Sequence, residues 1–241
     1  MKVLRYAIRL SDRIVDMTVF LVCMCFFLIG LYSLYDSYMV YSDANDTSIL
    51  KYKPEYDDGN VDYRDILDSM VAWVSVNGTT IDYPIMQGKD NAEFLNKDPM
   101  GNYSLSGSIF LDSRNDSKFT DTYSLVYGHH MEHGAMFGAL DDYLDKKFFK
   151  THRKGELIVG EKVYDIRFFA VVECPAEEDA VFAPTENEDT LPFIEKNHLY
   201  LDKKSMPKDG ERYIGLSTCK YPDTTDRTII FGVLTEKENT K

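Results

Sequence analysis

The 241-residue sequence predicts a mostly β domain, a closed or nearly closed barrel with a few inserted helices, carried behind a membrane-spanning helix. Three observations carry that reading. An uncharged apolar run stands near the N-terminus. Many short β-rich segments follow it, punctuated by turn residues. The helical patterns between those segments are few and short.

Met17 to Leu34 carries no charge for 18 residues, close to the roughly 20 apolar residues a spanning helix needs. Ile14 and Val15 extend the run across Asp16, while Lys2, Arg5, Arg9 and Arg13 precede it. Basic residues on the N-terminal flank keep that end in the cytoplasm, so the rest of the chain is exported. A cleaved signal peptide is the competing reading, with Ser42-Asp43-Ala44 as a small-x-small site, but that site lies well beyond the apolar run. The expected organisation is a cytoplasmic tail over 1–13, an anchor over 14–35, a polar stalk over 36–61, an extracellular domain over 62–236 and a short tail over 237–241. Within the stalk a helix is expected at Tyr38–Ser48. Asp62–Ser69 reads as a short helix packed onto the domain.

From Val71 the pattern turns to strands. Val71–Val76 meets Asn77-Gly78, a hairpin signal, and Thr79–Met86 reads as the return strand. Pro84 marks that strand as an edge or a bulge. Asn91–Asn96 reads as one helical turn; Ser108–Leu111 and Tyr123–Tyr127 read as strands. Met136, Phe137, Leu140, Leu144 and Phe148 recur at helical spacing, which predicts a helix over 136–149. Glu156–Val159 and Val163–Glu173 are β-rich around a turn at Gly160. Asp189–Leu199 predicts a capped helix burying Leu191, Ile194 and Leu199. Tyr213–Thr218 and Thr228–Leu234 are the final strands.

Composition narrows the function. Hydrophobic residues make up 44% and aromatic residues 13%, enough for a packed core. The formal net charge is −13 and no basic stripe is present, which excludes a nucleic-acid surface. Removing the first 36 residues takes away four Lys/Arg and three Asp/Glu, so the remainder carries −14 and the acidity belongs to the exported part. Four cysteines are too few for a disulfide scaffold, and nothing in the spacing of Cys174 and Cys219 suggests a bridge.

Cys219 ends an apolar strand and meets a loop, a good station for attack on a substrate. A thiol becomes a nucleophile when its pKa is lowered or an imidazole stands beside it. His129 also follows a strand, and Arg227 opens the strand eight residues after Cys219. A guanidinium there can donate hydrogen bonds to a developing oxyanion without changing its own charge. Three such residues at strand ends suggest nucleophilic catalysis, set against the commoner case of a buried, inert cysteine.

The ordered set of motifs resembles the class B sortases. It comprises Asp82-Tyr83-Pro84-Ile85-Met86-Gln87-Gly88, the run Gly107 to Asn115, Tyr127-Gly128-His129-His130-Met131, Met136-Phe137-Gly138, Leu216-Ser217-Thr218-Cys219 and Arg227. The resemblance covers about residues 62–234. It implies an eight-stranded sortase-type barrel, an N-terminal anchor in the membrane of a Gram-positive bacterium, and cysteine transpeptidation with no cofactor and no metal. By position Cys219 matches the nucleophile, His129 the general acid/base and Arg227 the oxyanion-stabilising residue. Asn91, Tyr127 and Ser217 match positions lining the sorting-signal groove. The implied partners are surface proteins or pilins bearing an LPXTG-like signal, and an amine acceptor on a cell-wall cross-bridge or a pilin. The Asp189–Leu199 helix fits an insertion of class B members before the last strands. Lys220 stands where some members carry an acid, and the Cys-to-Arg spacing of eight is short. In these features the wording resembles pilin-polymerising class B members.

Two other functional readings are a hydrolytic cysteine peptidase and a non-enzymatic anchored binding domain. His129, His130 and His133 do not read as a metal site, because neighbours on a strand point to opposite faces. His152 and His198 read as surface residues, and Asp141-Asp142 and Glu177-Glu178-Asp179 as solvated faces.

Overall fold

The computed structural model describes residues 2–44, 47–57, 60–62, 69–185, 189–219 and 226–237. The chain forms two compact units, Met1–Ser42 and Asp43–Lys241. Helix α1 (Lys2–Ala44) makes up the first. Its stretch Ile8–Ser42 is apolar and long enough to cross a membrane, and none of its most apolar window is buried by protein. At 1.5 Å per residue the uncharged run Met17–Leu34 spans about 27 Å, close to the thickness of a bilayer's hydrocarbon core. The helix expected over Tyr38–Ser48 is the end of α1, which stops at Ala44.

The second unit begins with a 3-10 helix (Thr47–Tyr52) and a small hairpin, β1 (Glu55–Asp57) and β2 (Asn60–Asp62). Asp62 is therefore in a strand, and the remainder of the helix expected over Asp62–Ser69 lies largely outside the described residues. Lys53 pairs with Asp82 at 2.8 Å, and Ile49 and Tyr52 pack against the barrel's outer cluster.

The barrel strands follow as β3 (Met70–Val76), β4 (Asp82–Met86), β5 (Ile109–Leu111), β6 (Tyr123–Gly128), β7 (Lys154–Val159), β8 (Lys162–Pro175), β9 (His198–Leu201), β10 (Arg212–Cys219) and β11 (Asp226–Glu236). Their order is β11-β10-β6-β5-β4-β3-β7-β8, and β8 pairs back to β11, so eight strands close a barrel; β9 adds to the outer half of β8. The pairs β4–β5 and β6–β10 are parallel and the other barrel pairs antiparallel. Pro84 sits opposite Trp73 in β3, while pairing of β4 with β5 begins only at Ile85. At Pro84 the strand is locally an edge, which is where a missing N–H is tolerated.

Alternation along the strands sorts the core. Ile85, Leu111, Val126, Leu157, Phe168, Leu216 and Ile230 fill the interior. On the other side of the last strands Tyr123, Leu125, Val172, Cys174, Tyr213, Ile229 and Phe231 form a second buried cluster. It is capped by α3 (Asp179–Phe182) and α4 (Thr190–Asn197), whose Val181 and Ile194 are fully buried.

Three local expectations are corrected. The helix predicted over 136–149 is two elements, a 3-10 helix (Phe137–Leu144) and α2 (Lys146–Thr151). They break at Asp145, whose extended backbone and side-chain bond to the Phe148 N–H make it an N-cap. Asp189 makes no such cap for α4, and Leu199 lies in β9 and is exposed at 41%. The helical spacing of Leu199 with Leu191 is lost because the chain turns extended at His198. Asp141 is no freely solvated acid: its Oδ2 lies 2.7 Å from the Nε2 of His130.

Candidate active site

The end of the sheet formed by β6, β10, β11 and β8 brings four of the candidate residues together, Cys219, Arg227, Ser217 and Tyr127. Cys219 in β10 lies opposite Arg227 in β11, and Arg227 lies opposite Cys174 in β8. Ser217 lies opposite Tyr127 across β10–β6. Alternation puts Tyr127, Ser217, Arg227 and Cys174 on the face away from the barrel interior, since Val126, Leu216 and Ile230 point inside. Cys219 and Cys174 are two strand spacings apart, about 10 Å between Cα atoms. That exceeds the reach of a disulfide, and Cys174 is a free, buried thiol.

Arg227 rests on two aromatic rings. Its guanidinium carbon is 6.0 Å from the Tyr127 centroid and 5.7 Å from that of Phe182 at the end of α3, both within cation–π range. The rings stack on each other at 6.4 Å and 16°. The Ser217 hydroxyl is buried and has no hydrogen-bond partner among the described residues.

His129 follows β6 and is partly exposed. Its Nε2 lies 2.7 Å from the carbonyl of Leu95. A carbonyl only accepts, so Nε2 carries the proton and Nδ1 is the nitrogen able to take another. The ring also packs on Gly107, where a Cβ would fall 2.9 Å from His129 Cδ2 and 2.5 Å from the Leu95 carbonyl; φ is +58° there, so glycine serves twice. His130 turns to Asp141 and His129 to Leu95, as opposite-face neighbours should. Gly138 matters for the same loop, because a Cβ would meet the Met131 carbonyl at 1.9 Å.

Asn91 is bound into the scaffold. Its amide donates to Asp112 Oδ2 at 2.9 Å and its carbonyl accepts from the Ser113 N–H at 2.8 Å. Tyr127 donates its hydroxyl to the same Asp112 oxygen at 2.9 Å. Burial, then Asp112, push the Tyr127 hydroxyl well above its ordinary pKa, so it stays a donor. Burial likewise pushes the Cys174 thiol to about 12, helped by Glu178 and Asp226 and opposed by Arg227. Sequence reasoning passed over Asp112, Arg114 and Phe182. Asp112 and Arg114 stand in a run with family wording but signalled no role, and Phe182 belongs to a segment with no periodic pattern.

The sortase-domain family model matches residues 74–235. The chain belongs to the sortase family. Sortases are cysteine transpeptidases, and the likeness here is to class B members. The chain is 35% identical over 162 residues to sortase B of Listeria monocytogenes, covering 66% of this chain and 65% of that protein. It is 32% identical over 168 residues to sortase B of Staphylococcus aureus, covering 67% and 68%. The chain thus spans about two thirds of the length of these two relatives. A crystal structure of a Streptococcus pyogenes class B sortase involved in pilus biogenesis superposes with a TM-score of 0.65 at 35% identity, covering 70% of this chain and 94% of that one. A Staphylococcus aureus sortase B–substrate complex superposes with a TM-score of 0.65 at 27% identity, covering 71% and 82%.

Proposed function

We propose that this sortase is anchored by residues 14–35, with 1–13 in the cytoplasm and its catalytic domain, residues 62–236, outside the cell. There it cleaves an LPXTG-like sorting signal after Thr and passes the acyl group to an amine. The observation that supports this reading most is the row Cys219–Arg227 at the end of β10 and β11, with Tyr127 and Ser217 beside it on the same face.

In the proposed reaction the Cys219 thiolate attacks the Thr carbonyl carbon. The oxyanion that forms is stabilised by hydrogen bonds from the Arg227 guanidinium. His129 gives a proton to the departing amine as the C–N bond breaks, leaving a thioester. An acceptor amine then attacks the thioester, His129 takes its proton, and the Cys219 thiolate leaves. Tyr127, Asn91 and Ser217 would line the groove for the signal peptide. The acceptor is a cell-wall cross-bridge amine or a pilin lysine. The pilus role of the Streptococcus pyogenes relative favours the lysine.

The test uses the detergent-solubilised chain, fluorogenic sorting-signal peptides and a panel of amines, with Cys219→Ala in parallel. Amine-dependent transfer that falls by about 10⁴-fold or more in Cys219→Ala is the expected result. Release of free acid regardless of amine would instead make the protein a cysteine peptidase. No cleavage of any peptide would leave an anchored binding domain.

A further inference from the structure

Asp112 sits beside the row of candidate residues and takes no part in the reaction above. It follows β5 directly and is 0% exposed. A bare carboxylate is expensive to bury, so its partners matter. Its Oδ1 accepts from the Arg114 N–H at 3.0 Å and from Arg114 Nε at 2.9 Å. Its Oδ2 accepts from Arg114 Nη2, Asn91 Nδ2 and the Tyr127 hydroxyl, each at 2.9 Å. Burial alone would raise this carboxyl's pKa, but the hydrogen bonds from Arg114, Asn91 and Tyr127 outweigh it and hold the group below its ordinary value.

Arg114 does more than neutralise the acid. The Nη2 that donates to Asp112 also donates to the carbonyl of Phe182, the last residue of α3. A guanidinium NH2 has two hydrogens and can serve both acceptors at once. Tyr127 and Phe182 are also the two rings on which Arg227 rests, and the three groups make a near-equilateral triangle of 5.7, 6.0 and 6.4 Å. One end of the network holds Tyr127 by its hydroxyl, and the other holds Phe182 by its backbone.

We propose that Asp112 and Arg114 form a strut that positions Arg227, by holding Tyr127 on the sheet and Phe182 on α3 in the spacing that seats the guanidinium beside Cys219. Both are positioning residues that touch neither substrate nor reacting atoms. The catalytic consequence rests on the role given to Arg227 above; the mechanical one does not. Arg114 is itself exposed, and an ion pair that served stability alone would not have to reach α3. The pair Arg153–Asp202, bonded at 2.6 Å on another part of the barrel, supplies that comparison.

The experiment uses the full chain in detergent and the variants Asp112→Asn, Arg114→Gln, Arg114→Lys and Arg153→Gln. Three quantities are read below each variant's melting temperature: kcat/KM for transfer, hydrogen exchange of the α3 amides, and the pH profile of Cys219 alkylation resolved by peptide mass. Asp112→Asn and Arg114→Gln should lower kcat/KM by about 10- to 100-fold, the usual penalty for a small misplacement of a catalytic group. They should also speed exchange in α3 and shift the alkylation profile. Arg114→Lys keeps the charge but cannot fork to both acceptors, so it should follow Arg114→Gln, not the parent. Arg153→Gln should lower the melting temperature and move none of the three. If Asp112→Asn and Arg114→Gln change only the melting temperature, the strut is overturned and the pair is structural. If Asp112→Asn fails to fold, the two Arg114 variants decide. Should the parent transfer nothing, the proposed function fails while exchange and alkylation still judge the strut.

Discussion

Arg227 has a cysteine across from it on each side, and the two sides differ. Toward β8, Cys174 is 5% exposed and belongs to an apolar cluster with Val172, Ile229 and Phe231. Glu178 and Asp226 add negative potential there, and the thiol is pushed to about 12. Toward β10, Cys219 is the last residue of its strand. Cys174 lies across from Arg227 and its thiol is still pushed up, so the cation by itself does not make a nucleophile. A thiol flanked by apolar side chains and carboxylates remains protonated even beside an arginine. If Cys219 is the nucleophile proposed above, what separates it from the packing cysteine is its place at the end of the strand.

The largest effect expected from this contrast is in labelling. With its thiol near 12, Cys174 carries at pH 8 about 10³-fold less thiolate than an ordinary cysteine. Iodoacetamide on the folded protein should therefore modify Cys219 and spare Cys174 until denaturant is added. Equal labelling of both would break the contrast. The next effect concerns Arg227 itself. Arg227→Ala should lower kcat by about 10²- to 10³-fold, the range for removing one oxyanion donor, while Cys174 stays as unreactive as before. A loss confined to KM would assign Arg227 to peptide binding and not to the oxyanion. The smallest effect concerns acid. Asp112 has a depressed folded pKa, so its contribution to stability is present above its ordinary value of 3.8 and is lost as pH falls through the folded value. The melting temperatures of the parent and Asp112→Asn should differ at pH 6 and converge as pH falls below 3.8. A gap that stays constant would mean the carboxylate's charge adds nothing beyond its shape.

Much of this was legible locally. Val71–Val76, Tyr123–Tyr127 and Tyr213–Thr218 are strands in the structure, with ends within a residue of those expected. Their apolar residues alternate or run continuously, and the turn residues bound them. The helix over 136–149 was legible as helical but not as broken. The backbone at Asp145 is extended because its side chain does better capping α2 than continuing the turn before it. Leu199 kept a helical spacing that the chain abandons to pair β9 with β8. Asn91 and Tyr127 were marked as groove residues from family wording alone. Their shared attachment to one buried carboxylate was invisible in the sequence.

The sequence by itself determined what depends on near neighbours: an N-terminal run long and apolar enough to cross a membrane, the strand periods, and a cysteine, a histidine and an arginine each at the end of a strand. The tertiary structure alone decided the row Cys219–Arg227–Cys174, the triangle of Arg227 with Tyr127 and Phe182, and the ionised Asp112 beneath it. The reason is physical. Periodicity is set within a few residues of chain, but the register between β8 and β11 joins residues more than 50 positions apart. The charge state of a carboxylate is set by whichever donors the closed barrel brings to it.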